Sequence, residues 1–188
     1  MAVSDDLKGV TGAGFLVLVE FEGDLPPSLD SNESGEGFQG ASGWIGVGAC
    51  ESSIRILHFD DQAAANERLR QRINSSDAPP QIRDVPPVVH HILIEQHRGK
   101  TSEHTAVGSY LSVVHTVTAP GYGDVVSQEI EESLESLELV EGYAGHIRGH
   151  NVALPDEIWA LIFWTSPPIL PAPPDIEGTS IEHYRRVE

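Results

Sequence analysis

The stretch GYAGHIRGHN (142–151) sets His146 and His150 four residues apart with Arg148 between them. On a helix that spacing would offer two imidazoles to one metal ion. Gly142, Gly145 and Gly149 make a helix costly here, by about 1 kcal/mol each relative to alanine. A strand is expected instead, with His146, Arg148 and His150 on one face and the two histidines roughly 13 Å apart. That distance excludes chelation of a single ion and leaves a polar His-Arg-His row. A second candidate lies in VVHHILIEQH (88–97), where Glu95 interrupts an aliphatic run. Burying a carboxylate there is costly unless it is paired, ligated or protonated. His91 and Glu95 share one face of that strand, again roughly 13 Å apart, and would flank a substrate rather than touch each other. A histidine of near-neutral pKa in a desolvated cavity suits removal of a proton from an activated carbon or phenol. His91, Glu95 and His146 are therefore the candidate catalytic residues.

Residues that could hold a substrate come from two further segments. In 109–119, Leu111, Val113, His115 and Val117 alternate with Tyr110, Ser112, Val114, Thr116 and Thr118, so either Tyr110 or His115 faces inward. In 158–164, Trp159, Leu161 and Phe163 alternate with Ile158, Ala160, Ile162 and Trp164, and both sets are apolar. Such a strand is buried on both faces, and one aromatic set would form a wall for a planar ligand. The expected substrate-binding residues are Tyr110, His115, Arg148, Trp159, Leu161 and Phe163. Glycines in GVTGAGF precede a strand rather than linking a strand to a helix, GKTSE lacks the upstream glycine of a phosphate loop, and HExxH is absent.

The elements that must position these groups follow from periodicity. GFLVLVEFE (14–22) reads as a strand and is followed by a long Gly/Pro/Ser-rich loop. GWIGVGACE (43–51) and SIRILHFD (53–60) read as strands joined by a tight connection near Glu51. The 60–76 segment changes period, with Ala65, Leu69 and Ile73 four apart, and is expected as a helix; 88–97 is again a strand. After a linker at 99–108, a strand (109–120), a helix (122–139) with Val126, Ile130, Leu134 and Leu137 on its inner face, two strands (143–151 and 157–166) and a final strand (181–188) are expected. Each half, 1–98 and 109–188, fits β-α-β-β-α-β with one helix degraded, which suggests a tandem duplication of a ferredoxin-like unit and an α+β class.

The 188 residues, 39% of them hydrophobic, are enough for a packed interior. Twenty-nine acids against 11 bases give a net charge of −18, which argues against nucleic acid or an anionic membrane as partner. Cys50 is the single cysteine, so neither an intrachain disulfide nor a thiolate zinc cluster can form, which fits a reducing compartment. MAVSDDLKGV lacks a basic region followed by an apolar run, and the expectation is a cytoplasmic protein.

The stretch YLSVVHTVTAPGYGDVVSQEIEESLESLELVEGYAGHIRG leading into EIWALIFWTS resembles the dimeric α/β-barrel superfamily, which includes antibiotic-biosynthesis monooxygenases and small polyketide cyclases. The resemblance implies two four-stranded sheets meeting face to face around an apolar cavity, with both sheets here supplied by one chain. Loss of one helix per half leaves open whether the chain forms a homodimer. It further implies a small enzyme of polyketide or aromatic metabolism doing acid/base chemistry on a hydrophobic substrate, first as a cofactor-free monooxygenase and second as a cyclase or isomerase. The alternatives are haem binding, which needs one correctly placed imidazole, and a non-catalytic ligand-binding protein.

Overall fold

The computed structural model describes residues 14–25, 36–48, 50–74, 87–99, 108–168 and 178–187. The expectations placed on the loop after the first strand, on 99–103 and on the proline-rich 167–180 segment lie largely outside these residues. Eight strands run in the order β1 (Phe15–Glu22), β2 (Phe38–Gly46), β3 (Ser52–Phe59), β4 (Val88–Gly99), β5 (Tyr110–Val117), β6 (Tyr143–Asn151), β7 (Glu157–Trp164) and β8 (Thr179–Arg186). Helix α1 (Gln62–Asn74) precedes β4 and helix α2 (Gly123–Leu137) precedes β6. The second strand begins earlier than its sequence suggested. Gly40 and Gly43 obscure the alternation of FQGASGWIG, and the strand ends at Gly46, with β3 starting at Ser52.

All neighbouring strands are antiparallel, and they close into one barrel in the order β1-β3-β2-β8-β5-β7-β6-β4. The first four strands stand in the order β4-β1-β3-β2 and the last four in the equivalent order β8-β5-β7-β6. This is the ferredoxin-like arrangement used twice. The fold is therefore a dimeric-α/β-barrel architecture built from a single polypeptide. Two seams join the halves. Between β4 and β6 the ladder extends from Ile92↔Asn151 to Gly99↔Gly145. Between β2 and β8 it is shorter, with the pairs Trp44↔Arg186, Ile45↔Arg185 and Gly46↔Tyr184 and backbone bonds from Val47 N to His183 O and from Val187 N to Gly43 O at its ends.

Alternation divides the side chains into three cores. The lumen is filled by Leu16, Leu18, Trp44, Ile54, Ile56, Ile92, Leu111, Leu161, Phe163, Tyr184 and their neighbours. Eight strands leave an interior only wide enough for side chains to fill, and this one is nearly filled. Outside, α2 covers one sheet by setting Ile130, Leu134 and Leu137 against Val114, Ile158, Ala160, Ile162 and Trp164. Helix α1 covers the other through Ala65, which packs with Phe15, Val17, Leu57 and Phe59. Among the described residues no helix is long and apolar enough to cross a membrane.

At the long seam the backbones approach so closely that a Cβ on Gly149 would lie 2.1 Å from the Leu93 carbonyl oxygen. Gly149 was read above only as an obstacle to a helix. Its structural role is to let β6 meet β4 and close the wall.

Candidate active site

GYAGHIRGHN is strand β6, and its polar row lies on the outer face of the barrel. His146 pairs across the sheet with Ile162, a residue of the core beneath α2. It is fully buried there, and its Nδ1 lies 2.7 Å from the Tyr143 hydroxyl. Burial, with the positive charges of Arg98, His97 and Arg148 nearby, lowers the His146 pKa to about 4. It is a neutral imidazole at physiological pH. Arg148 points the same way, bonding Ser127 of α2 and Glu95 (Nη1 to Oε2, 3.2 Å) and lying 3.7 Å from Glu131. Glu95 occupies a β-bulge between Ile94 and Gln96 and also meets His150 Nδ1 at 2.9 Å. Its side chain is 38% exposed and paired, on the outside of the barrel, so the carboxylate is not buried. His91 pairs with Val17 and sits 5.9 Å from the Phe15 ring, on the face that α1 covers.

The expectation that His91, Glu95 and His146 converge on an interior cavity is thus corrected: all three face outward, and on two different helix-covered sides. The inference failed because it assigned the more polar face of each strand to the lumen. Hydrocarbon plugs this lumen, and the polar groups lie outside it, where Tyr143 meets His146, Glu95 meets His150, and Ser127 and Glu131 of α2 meet Arg148. Tyr110 likewise faces outward against the α2 core. His115, Trp159, Leu161 and Phe163 do face the lumen, as one of the two weighed orientations required.

Where the lumen is not filled, a cavity of about 90 Å³ opens at one mouth, lined by Leu18, Glu20, Ile54, Val113, His115, Trp159, Ser180, Glu182 and Tyr184. The Trp159 indole forms a three-ring cluster with two imidazoles, stacked on His115 at 4.2 Å between centroids and tilted against His90 at 4.5 Å, with the imidazoles 6.4 Å apart. Each imidazole faces a carboxylate. His115 Nε2 lies 3.8 Å from Glu157 Oε2, and His90 Nε2 lies 4.0 Å from Glu20 Oε2. Glu157 is itself held by Asn151, whose Nδ2 donates to Oε2 at 2.8 Å. Burial lowers the pKa of both imidazoles, and the carboxylates only partly oppose it. Both rings are therefore available as bases at neutral pH. Burial, reinforced by the charge of Glu182, raises the pKa of Glu20.

Two buried polar atoms in this group have no hydrogen-bond partner, Trp159 Nε1 and His115 Nε2. Buried donors are nearly always satisfied, and the indole N–H of Trp159, a residue that lines the cavity, is an exception. On the β8 side Tyr184, buried, donates to Glu182 and meets Ser52 Oγ at 3.0 Å. Sequence reading missed His90, Glu20, Glu157, Glu182 and Tyr184. One signal was available: the Leu16, Leu18, Glu20 alternation carries a carboxylate into the continuation of an apolar face.

The haem alternative does not fit this site. A cavity of about 90 Å³ beside His90 and His115 has no room for a macrocycle. Among the described residues no three His, Cys, Asp or Glu side chains are placed to share a metal ion.

The closed barrel of two ferredoxin-like sheets, with titratable groups gathered at one mouth, defines the structural class. No family model matches the sequence, and no curated protein matches it. Solved structures share the fold. A Fusobacterium nucleatum protein assigned as a monooxygenase superposes with a TM-score of 0.66 at 12% identity, over 95% of this chain and 94% of its own. An anthrone oxidase-like protein gives 0.68 at 12% identity, over 96% and 94%. A Lactobacillus acidophilus protein, also assigned as a monooxygenase, gives 0.60 at 12% identity, over 93% and 94%.

Proposed function

We propose that this protein is a cofactor-independent monooxygenase acting on an electron-rich aromatic substrate at the Glu20–Glu182 mouth of the barrel. One observation carries the reading. Two imidazole–carboxylate pairs cluster with an indole whose N–H has no partner, beside a small cavity. The assignments of the fold neighbours as monooxygenases and as anthrone oxidase-like support it.

The cavity is well below the roughly 300–1,000 Å³ of a site that encloses a drug-sized ligand. Only the reacting edge of the substrate enters, and the remainder lies in the mouth. His115 turns Nε2 toward Glu157, so its other ring nitrogen takes the proton from the activated carbon. Glu157, anchored by Asn151, stabilises the imidazolium that results. Trp159 Nε1–H donates to the substrate oxygen on which negative charge develops. The carbanion then passes one electron to dioxygen, and the radical pair combines to form the C–O bond. The imidazolium returns its proton to give a hydroperoxide. A base removes the second C–H proton, the O–O bond breaks, and a ketone and water leave. One oxygen atom enters the product and the other enters water, so no further reductant is required.

The test is dioxygen uptake with anthrone as the substrate and buffer alone as the reference. Uptake above buffer is expected for the wild-type protein, with a fall of about 10²–10³-fold in His115→Ala. An unchanged rate in His115→Ala would overturn the assignment of the base.

A further inference from the structure

The described lining of the cavity mouth carries two carboxylates. Glu20 and Glu182 line the same cavity of about 90 Å³, and among the described lining residues there is no lysine or arginine. The two carboxylates feel each other, since the charge of Glu182 contributes to the raised pKa of Glu20. Elsewhere in this protein carboxylates meet guanidinium groups, as Glu95 and Glu131 meet Arg148, and Glu135 and Glu138 meet Arg98. Among the described residues that line the cavity the basic group is His115, and burial keeps it and the neighbouring His90 neutral. The wall beside the carboxylates is aromatic, formed by Trp159 and Tyr184. A pair of carboxylates attracts a cation, and the attraction grows where the cation is partly desolvated. A second observation points to a ligand here. Trp159, which lines the cavity, is only 5% exposed, and its indole N–H is left without an acceptor.

We propose that the substrate is a phenol-like aromatic carrying an organic ammonium group, with its oxygen on Trp159 Nε1 and its cation between Glu20 and Glu182. This rests on the reading of the mouth as a substrate site and narrows the substrate class. Glu182 is the outer contact. It is exposed, and the Tyr184 hydroxyl holds its carboxylate in place. Glu20 is the inner contact, with its side chain 36% exposed. The ammonium supplies the charge that the described lining lacks and relieves the repulsion between the two carboxylates.

The experiment is isothermal titration of the full chain at neutral pH with three probes that share one ring. Tyramine carries an ammonium, para-ethylphenol is neutral, and phloretate carries a carboxylate. Tyramine is expected to bind at least about tenfold more tightly than para-ethylphenol, and phloretate most weakly. Glu182→Gln and Glu20→Gln should each reduce the tyramine preference while leaving para-ethylphenol affinity in place. Added salt should weaken tyramine selectively. Equal binding of tyramine and para-ethylphenol, tighter binding of phloretate, no binding of tyramine, or a preference that survives both glutamate substitutions would overturn the proposal. The two readings fail separately. Oxygen uptake that is unchanged in His115→Ala overturns the assignment of the base and leaves a tyramine preference standing, and uptake that falls in His115→Ala with no tyramine preference does the reverse.

Discussion

Acidification should destabilise the protein through His146 by an amount that the structure allows to be worked out. The imidazole is fully buried beneath α2, and its pKa falls from 6.5 to about 4 because burial and three neighbouring positive groups all oppose its charging. Above pH 6.5 neither the folded nor the unfolded chain protonates this residue, and it imposes no penalty. As pH falls from 6.5 toward 4 the unfolded chain gains a proton that the folded one refuses, so stability is lost over that window and levels off below it. The limiting loss is about 3.4 kcal/mol for a gap of about 2.5 units, and about 2 kcal/mol of it is reached by pH 5. His146→Gln removes the titration while leaving an acceptor for the Tyr143 hydroxyl. Urea unfolding at pH 7 and pH 5 should therefore show the wild-type protein losing about 2 kcal/mol more than the variant, or about 4–8 °C in Tm for a chain of this size. Comparing each protein with itself cancels any cost of the substitution that does not depend on pH. Parallel losses in the two proteins would refute the reasoning, because they would mean that the folded state accommodates the imidazolium.

Three other outcomes follow from the same geometry. The acid limb of the pH–rate profile should have its midpoint below 6.5, since burial lowers the His115 pKa and keeps the base form present; a midpoint above 6.5 would show that Glu157 dominates. Arg148→Met removes the cation shared by Glu95, Ser127 and Glu131 and should cost about 1–3 kcal/mol, discounted from the buried-pair value because both carboxylates are more than a third exposed. Urea denaturation would measure it, and the cost should shrink in high salt. Gly149→Ala drives a Cβ into the Leu93 carbonyl and should leave little folded protein by circular dichroism, whereas Gly23→Ala, with nothing within 4 Å, should cost only its positive-φ strain of about 1 kcal/mol.

The strands were legible because alternation survives in the sequence wherever one face is apolar. Leu16-Leu18 against Phe15-Val17 and Trp159-Leu161-Phe163 against Ile158-Ala160-Ile162 mark strands plainly. They do not mark which face is the lumen, because both faces are buried, one by the plug and one by a helix. Strand β4 shows the limit most clearly. His90 faces the mouth and His91 faces α1, so the two neighbours exchange roles on a one-residue change of reading. The bulge at Glu95 then resets the alternation, so that Ile94 and His97 both face inward. No local pattern announces that reset. The Glu157, His115 and Trp159 grouping was partly visible, but His90 and Glu20 join it only through closure of the barrel between strands distant in the chain.

The unequal seams have a consequence for how the molecule comes apart. With three residue pairs from Trp44 to Gly46 and a backbone bond at each end, the β2–β8 junction is the cheapest place to open the wall, while the β4–β6 ladder continues to hold the halves together. Amide hydrogens of β2 and β8 along this junction should therefore exchange with solvent well before those of β4, β6 and β7. Each half retains its complete four-strand sheet when the short junction parts. Two opened molecules at high concentration can thus cross-pair β2 of one with β8 of the other, and the exchanged dimer would present each mouth built from the same strands as the monomer.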